Sequence, residues 1–235
     1  MALGPPSPNS SGRRLLWPAL TTVPLLALGL GLGVWQLQRL AWKQDLLAQI
    51  DRGEAEGPVP LGPSPVAFRR VVVQGHFMPQ VARYGAEVRS TRAGTAMGSH
   101  VLVPLQRDGA DPVMVDRGWA PETFDQPAPS GPVSVVGYVR PAEAPVRFGA
   151  ADDPAARRFY ALDPAAIGAS LGLPRVAAFT VVALGAPGTL PEPAASLPRP
   201  PNNHLSYALT WFALSLGLAV VFSLYARQVF RAPSS

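Results

Sequence analysis

The chain has 235 residues, of which 48% are hydrophobic, and its formal net charge is +5 at pH 7. A chain of this length has room for one folded domain and some membrane anchoring. It contains no cysteine, which excludes disulfides, thiolate metal sites and a cysteine nucleophile. The nitrogen ligands that remain for a metal are His76, His100 and His204.

The charged residues are unevenly distributed. The segment 44–200 holds 14 basic and all 15 acidic residues, so its net charge is −1. A nucleic-acid-binding face would need a basic patch in the folded domain, and the near-neutral middle of the chain argues against one. The six other basic residues flank two long apolar stretches, a pattern typical of lipid head-group contacts and topology signals.

The first predicted element is a transmembrane helix over residues 15–38. It follows a tail, residues 1–14, that we expect to be cytoplasmic and disordered, because its first eleven residues are rich in Pro, Ser and Gly. The apolar stretch has no charged residue and exceeds the ~20 residues that cross a bilayer. Trp35–Arg39 is typical of an interface anchor rather than of a signal-peptide cleavage site. We expect residues 39–65 to be a connector, since their second half is rich in Pro and Gly.

A β-rich domain is predicted for residues 66–186, where short β-branched runs are bounded by turn residues. The candidate strands are Arg69–Gly75, His100–Leu105, Val113–Asp116, Val133–Arg140, Arg158–Leu162 and Phe179–Leu184. Pro164–Leu171 predicts a short helix that has Asp163 as its N-cap and Gly172 at its end. The predicted fold is therefore mostly antiparallel β, of the α+β class.

The remaining residues predict a return to the membrane. Residues 187–203 are a Pro-rich connector, 204–226 a second transmembrane helix and 227–235 a cytoplasmic tail. Long loops between two spans are translocated largely regardless of charge, so we expect the β domain to be extracytoplasmic. For a bacterium this means a multi-pass protein of the inner membrane with a periplasmic domain.

Known catalytic motifs are absent from the sequence, which predicts that the chain is not an enzyme. Asp152 and Asp153 precede a proline and predict a turn. The run Asp116–Trp119 predicts a strand-end turn with an anchoring Trp. His76 and His100 are expected to have surface or structural roles.

His204 stands at the start of the second apolar helix, where an imidazole is costly to dehydrate without a partner. Tyr207 and Trp211 share its helix face. One interpretation is an interfacial belt of His, Tyr and Trp at head-group depth. The other is a haem site in which neutral His204 binds the iron. Both interpretations remain open on these residues alone.

The first helix carries a similar cluster, with Trp35, Gln38, Arg39 and Trp42 on one face. Arg39 could pair with a haem propionate, and Trp35 could flank a porphyrin. The alternative is that Arg39 extends to lipid phosphate.

Taken together, the sequence resembles the Surfeit-locus-one family of cytochrome c oxidase assembly proteins. The pieces that carry the resemblance are Gly33–Arg39 with Lys43, Gly75–Phe77, Gly98–Leu105, Val113–Pro121, Gly137–Arg140 with Glu143, Phe159–Tyr160 with Asp163, and Asn202–Phe212. Seven such pieces in order between two membrane spans are a specific signal, although each alone is weak.

This resemblance implies a two-span membrane protein that binds haem a transiently and assists its insertion into the largest oxidase subunit. It implies His204 as the iron ligand. Tyr207, Trp211, Trp35 and Arg39 are the further cofactor-binding residues that the two helix faces suggest. The implied partners are the largest oxidase subunit, the haem a synthesis enzymes and membrane lipid, and no nucleic acid. A rival hypothesis is a scaffold that holds the oxidase subunit without touching haem, and a third is an unrelated anchored enzyme.

Overall fold

The computed structural model describes residues 10–91, 94–144, 146–147 and 149–231, with side chains from Arg14 onward. The chain forms two compact units, one of residues 1–47 with 200–235 and one of residues 48–199. In chain order the described elements are α1 (Ser10–Ala55), β1 (Val59–Pro60), β2 (Arg70–Phe77), β3 (Ala82–Thr91), β4 (Gly94–Arg107), β5 (Ala110–Pro121), β6 (Pro132–Pro141), β7 (Arg158–Phe159), α2 (Pro164–Ser170), β8 (Phe179–Ala183) and α3 (His204–Arg231).

Two described helices, α1 and α3, are long and apolar enough to cross a membrane by length and composition. The prediction that the first helix ends at residue 38 was wrong, because α1 continues to Ala55. The charged stretch after Arg39 keeps good helix formers, and the first glycine in it is Gly53. Residues 10–14 of the expected tail are also helical, whereas residues 1–9 and 232–235 lie outside the described part.

The first unit is held together by small residues on one face of each helix. Gly29 and Gly33 of α1 meet Ser215 and Phe212 of α3, and a Cβ added at either glycine would collide with those side chains. Ala208 and Ser215 are buried, whereas most large apolar side chains of both helices point outward. Small residues allow helix backbones to approach closely, which is how helices associate where lipid removes the hydrophobic driving force.

The second unit is built on one mixed sheet. Its eight described strands follow the order β1-β2-β6-β8-β5-β4-β3-β7, and β2 also pairs with β4, so five of the strands form a ring. The expected antiparallel pairing is found in five of the described pairings, whereas β1–β2, β3–β7 and β5–β8 are parallel. The fold is therefore a mixed sheet with an antiparallel majority.

Apolar side chains of alternate residues fill the inside of this ring. The buried members are Val71, Val73, Leu105, Val113, Val115, Val139, Ala177 and Val181. Val103 and Val115 are register partners, as are Val139 and Val181, so their side chains share one face. This period-2 burial is what the sequence pattern predicted.

The opposite face of the sheet is covered by α2. Ile167 and Leu171 pack there against Leu102 and Met114. The Asp163 carboxylate accepts hydrogen bonds from the backbone N–H groups of the first turn, which confirms the predicted N-cap.

The run Asp116–Trp119 is not the strand-end turn that we predicted, because β5 continues to Pro121. A bulge lies there, since His100 pairs with Trp119 whereas Leu102 pairs with Asp116. Gly118 adopts φ +114° and approaches the Glu192 carbonyl too closely for any side chain. The bulge places Asp116 and Arg117 on opposite faces of the sheet.

Candidate functional site

His204 is hydrogen-bonded to a side chain of the other apolar helix. Its Nδ1 lies 2.7 Å from Oε1 of Gln36, a residue 168 positions earlier in the chain. An amide oxygen only accepts, so Nδ1 is the donor in this bond, and a neutral imidazole in this arrangement has its lone pair on Nε2. His204 is half-buried and begins α3. The bond thus orients the imidazole, and in the neutral form Nε2 is the nitrogen that could bind a metal.

The bond to Gln36 is the feature that distinguishes this histidine from one in an aromatic belt. Histidines that bind metals commonly donate their other ring N–H to a carbonyl or carboxylate, which fixes the ring orientation and raises ligand basicity. Sequence reasoning missed Gln36, although it lies within the Trp35–Arg39 run. The one feature of the sequence that could have identified Gln36 is that it is polar and lies one helical turn after Gly33, which packs against α3.

The two cationic residues that follow Gln36, Arg39 and Lys43, contact the Trp42 ring and not His204. The Arg39 guanidinium carbon lies 4.4 Å from the centroid of the Trp42 ring, and Lys43 Nζ lies 5.9 Å from it. Arg39 is exposed. Two cations on one exposed indole suit an anionic group at a membrane interface, whether lipid phosphate or a propionate.

The other predicted cofactor-binding residues, Trp35, Tyr207, Trp211 and Arg39, are partly or largely exposed and lie apart from the bond between His204 and Gln36. Trp35 is 49% exposed and Tyr207 is 56% exposed, whereas Trp211 is half-buried. Within the described residues, no hydrogen bond, ion pair or ring contact joins these three side chains or Arg39 to His204. Their role in holding a cofactor stays a prediction.

A second polar cluster lies on the α2 face of the sheet in the β domain. His100 Nδ1 lies 3.0 and 2.9 Å from the two carboxylate oxygens of Asp116, which is buried. Asp116 Oδ1 also accepts from the Gly118 backbone N–H at 2.9 Å, and this bond supports the bulge. The structural role that we predicted for His100 agrees with these contacts.

Arg140 extends the same cluster. It donates to Glu143 at 2.7 Å and to the Tyr84 hydroxyl at 3.0 Å, and it lies over the Tyr84 ring. Burial raises the pKa of Tyr138 to about 12. Arg140, Glu143 and the Tyr84 hydroxyl are hydrogen-bonded to one another, and Tyr84 packs on the apolar cluster that contains Ile167 of α2.

The remaining candidates have ordinary surroundings. His76 is exposed, and the Asp152 and Asp153 carboxylates accept backbone N–H groups, as the predicted turn requires. In the part of the chain that the structure describes, no group of three or more His, Asp or Glu side chains could hold a metal ion.

Comparison with known proteins places the sequence beside one family. It matches the model of the SURF1 family over residues 23–216, a range that includes both Gln36 and His204. It is 29% identical over 215 residues to Surfeit locus protein 1 of Mus musculus, covering 80% of this chain and 69% of the relative. It is also similar to SURF1-like proteins of Monosiga brevicollis, at 27% identity over 88% of this chain and 85% of the relative, and of Rickettsia bellii, at 26% over 84% and 86%.

Proposed function

The chain belongs to the SURF1 family, and from this premise we propose that it is an assembly factor for cytochrome c oxidase that binds haem a on His204. Its task is to carry the haem and assist its insertion into the largest oxidase subunit, without itself catalysing a reaction. The observation that supports this most directly is the 2.7 Å bond between His204 Nδ1 and Gln36 Oε1, because a histidine that binds a metal through Nε2 commonly donates Nδ1–H to such an oxygen.

In this proposal haem a is cargo, and its iron accepts the lone pair of His204 Nε2. Gln36 orients the imidazole and fixes its tautomer, while Arg39 and Trp42 offer a cationic edge for an anionic group of the cargo. A single protein ligand suits a carrier, because each ~1.4 kcal/mol of added affinity slows release about tenfold at a constant association rate.

The two apolar helices support a place in the bacterial inner membrane, with the β domain in the periplasm. An apolar, redox-active haem would partition into lipid, and a site at the start of α3 holds it close to that phase. The partners in this proposal are the largest oxidase subunit, the haem a synthesis enzymes and the lipid around the helices.

The proposal is tested by absorption spectra of the full-length protein, purified in detergent after expression with the haem a synthesis enzymes. We expect the wild type to show the Soret and alpha bands of haem a and His204→Ala to lose or shift them. The matched control is His76→Ala, which removes an exposed histidine of the β domain and should leave the spectrum unchanged.

A His204→Ala protein with full haem and an unchanged spectrum would show that the ligand assignment is wrong. A colourless wild type, from membranes that do contain haem a, would instead favour a scaffold that holds the oxidase subunit without haem.

A further inference from the structure

Two arginines flank one valine on the inner face of the sheet in the β domain. Arg83 of β3 is the register partner of Val101 in β4. On the other side of Val101, β5 presents Arg117 at its bulge. The Arg117 guanidinium carbon lies 5.5 Å from the centroid of the Phe77 ring, and Phe77 packs on the cluster that contains Val101. Both arginines therefore lie on one face, with Cα atoms roughly 10 Å apart, or two strand spacings.

In the described part of the chain, neither guanidinium forms an ion pair with a carboxylate. Among the described residues, the Arg117 side chain makes no hydrogen bond and no ion pair, and its Nη1 is buried without a partner. Arg83 donates one hydrogen bond, from Nη2 to the Phe124 carbonyl, and its Nη1 is also buried without a partner. Glu122 is the carboxylate that acts on Arg83, and it is already paired with Arg158. Arg117 is thus partly withdrawn from water with no carboxylate acting on it, whereas Arg83 has only Glu122, which Arg158 already pairs.

Removing these two charges from water costs free energy. Burial accordingly lowers the pKa of Arg83 and of Arg117. Partly buried charges that lack an ion-pair partner are found at sites that bind a charged ligand. The charge therefore points to an anion.

The surroundings of the pair are apolar. Phe77, Val81, Phe124 and Ala128 pack around Val101 and are all half-buried. In the turn between β2 and β3, the Gln80 side-chain oxygen is also buried without a partner. The same part of the domain thus offers unused N–H donors, an unused acceptor and apolar side chains. A free inorganic anion would use only the donors, whereas a peptide that carries a carboxylate beside apolar residues could use all three.

We propose that Arg83 and Arg117 form a binding site for a carboxylate side chain of an acidic, partly apolar polypeptide segment. The planar guanidinium matches a carboxylate with two parallel hydrogen bonds, and the Arg117 plane is already supported by the Phe77 ring. The partner is thus a protein with Glu or Asp set among apolar residues, and its binding does not require haem.

The test uses the full-length protein in a neutral detergent at low salt. The probe is a fluorescein-labelled, C-terminally amidated nonapeptide of alternating Leu and Glu, and the matched peptide has Gln in place of each Glu. By fluorescence anisotropy we expect the Glu peptide to bind at least tenfold more tightly than the Gln peptide. Arg117→Gln should weaken binding of the Glu peptide about tenfold, and Arg83→Gln should do the same.

The control variant is Arg175→Gln, which removes an arginine whose side chain is 79% exposed, and it should bind the peptide like the wild type. Unfolding temperature is the second readout. Among the described residues Arg117 has no hydrogen-bond or ion-pair partner to lose, so Arg117→Gln gives up only the contact with the Phe77 ring and should unfold close to the wild-type temperature.

Equal affinity for the Glu and Gln peptides would overturn the proposal. So would a lower unfolding temperature of Arg117→Gln with unchanged peptide affinity, which would make Arg117 a structural residue. Binding of inorganic phosphate or of phosphatidylglycerol vesicles that depends on both arginines, in the absence of peptide binding, would identify an anion or lipid site instead and would also overturn it.

Discussion

Gln36 and His204 depend on each other, although 168 residues separate them. Replacing Gln36 by Leu removes the acceptor for Nδ1–H and frees the imidazole to rotate and change tautomer. Loss of such a supporting group typically lowers metal affinity 10- to 100-fold. We expect a weakening of this size for haem a bound by Gln36→Leu, measured by spectral titration of the purified protein.

Two further variants sharpen that test. Gln36→Glu keeps an acceptor at the same position and should restore most of the affinity. Gln38→Leu changes an exposed glutamine two residues away and should have no effect. If Gln36→Leu bound haem a as the wild type does, the orienting role of Gln36 would be excluded.

Tyr138 should make the β domain less stable as the pH rises above 10. Burial raises its pKa to about 12 from an ordinary value of 10.0. Between these values the unfolded chain has lost the phenolic proton and the folded chain has kept it, so the free energy of unfolding falls as pH rises. The contribution of protonated Tyr138 to the free energy of unfolding is fully present below pH 10. About 2–3 kcal/mol of that free energy is lost by pH 12.

Tyr138→Phe keeps the ring and removes the titrating group. Its unfolding free energy, measured by denaturant titration at several pH values from 9 upward, should fall less steeply than that of the wild type. Equal slopes for the two proteins would show that Tyr138 does not carry this pH dependence.

The histidine of the candidate site could be predicted from the sequence, whereas its partner could not. An imidazole at the edge of an apolar span is unusual by itself, so His204 stands out. Gln36 is one of two glutamines in the Trp35–Arg39 run, and only the packing of α1 on α3 decides which one faces His204. The pairing of His100 with Asp116 depends in the same way on strand register across a bulge.

At the scale of elements, the contact between α1 and α3 depends on residues without bulky side chains. A Cβ at Gly33 would collide with the Phe212 ring, whereas a Cβ at Gly31 would meet nothing within 4 Å. Gly33→Val should therefore separate the helices locally and lower the unfolding temperature in detergent. We expect a cost of about 1–3 kcal/mol, as for other overpacked sites.

Gly31→Val is the matched control, because it places the same side chain on the outer face of the same helix. It should leave both the unfolding temperature and haem a binding unchanged. Gly33→Val should also weaken haem binding, since Gln36 lies one turn further along the same face. Equal behaviour of the two valine variants would argue against the packing of α1 and α3 described here.

Five of the six strands that the sequence predicted contain β-branched residues at alternate positions, as at Val113 and Val115, and Arg158–Leu162 is the exception. Strand β3 was missed because its pairing with β4 shifts register between Tyr84 and Glu87, and Gly85 adopts φ +70° there. The irregularity interrupts the period of two on which strand prediction relies. The length of α1 was missed for another reason. The predicted connector started at residue 39, seventeen residues before the first residue after α1, because the Pro and Gly that end the helix come only from Gly53 onward.

At the scale of the whole molecule, the division into two compact units separates the two proposed activities. His204 and Gln36 belong to one unit, whereas Arg83 and Arg117 belong to the other. A protein that passes on a cofactor benefits from such a division, because a partner can be held by one unit while the cargo is held by the other.

The ends of the second unit are joined to each other within that unit. Arg199 forms ion pairs with Asp51, at 2.8 Å, and with Glu54. Ile50 is 1% exposed, and Gly53 lies directly against the Phe68 carbonyl. The last turns of α1 are thus part of the β domain, and burial of a side chain such as Ile50 stabilises by about 1.5–3 kcal/mol.

We therefore expect residues 48–199, expressed alone, to fold as a soluble domain with a cooperative thermal transition. The fragment 56–199 lacks Ile50 and both carboxylates that pair with Arg199, so it should unfold at a lower temperature. The longer fragment should bind the Leu-Glu peptide as the full-length protein does and should take up no haem a. Haem a binding by this fragment would place the ligand in the β domain and contradict the assignment to His204, because His76 and His100 are the only histidines that it contains.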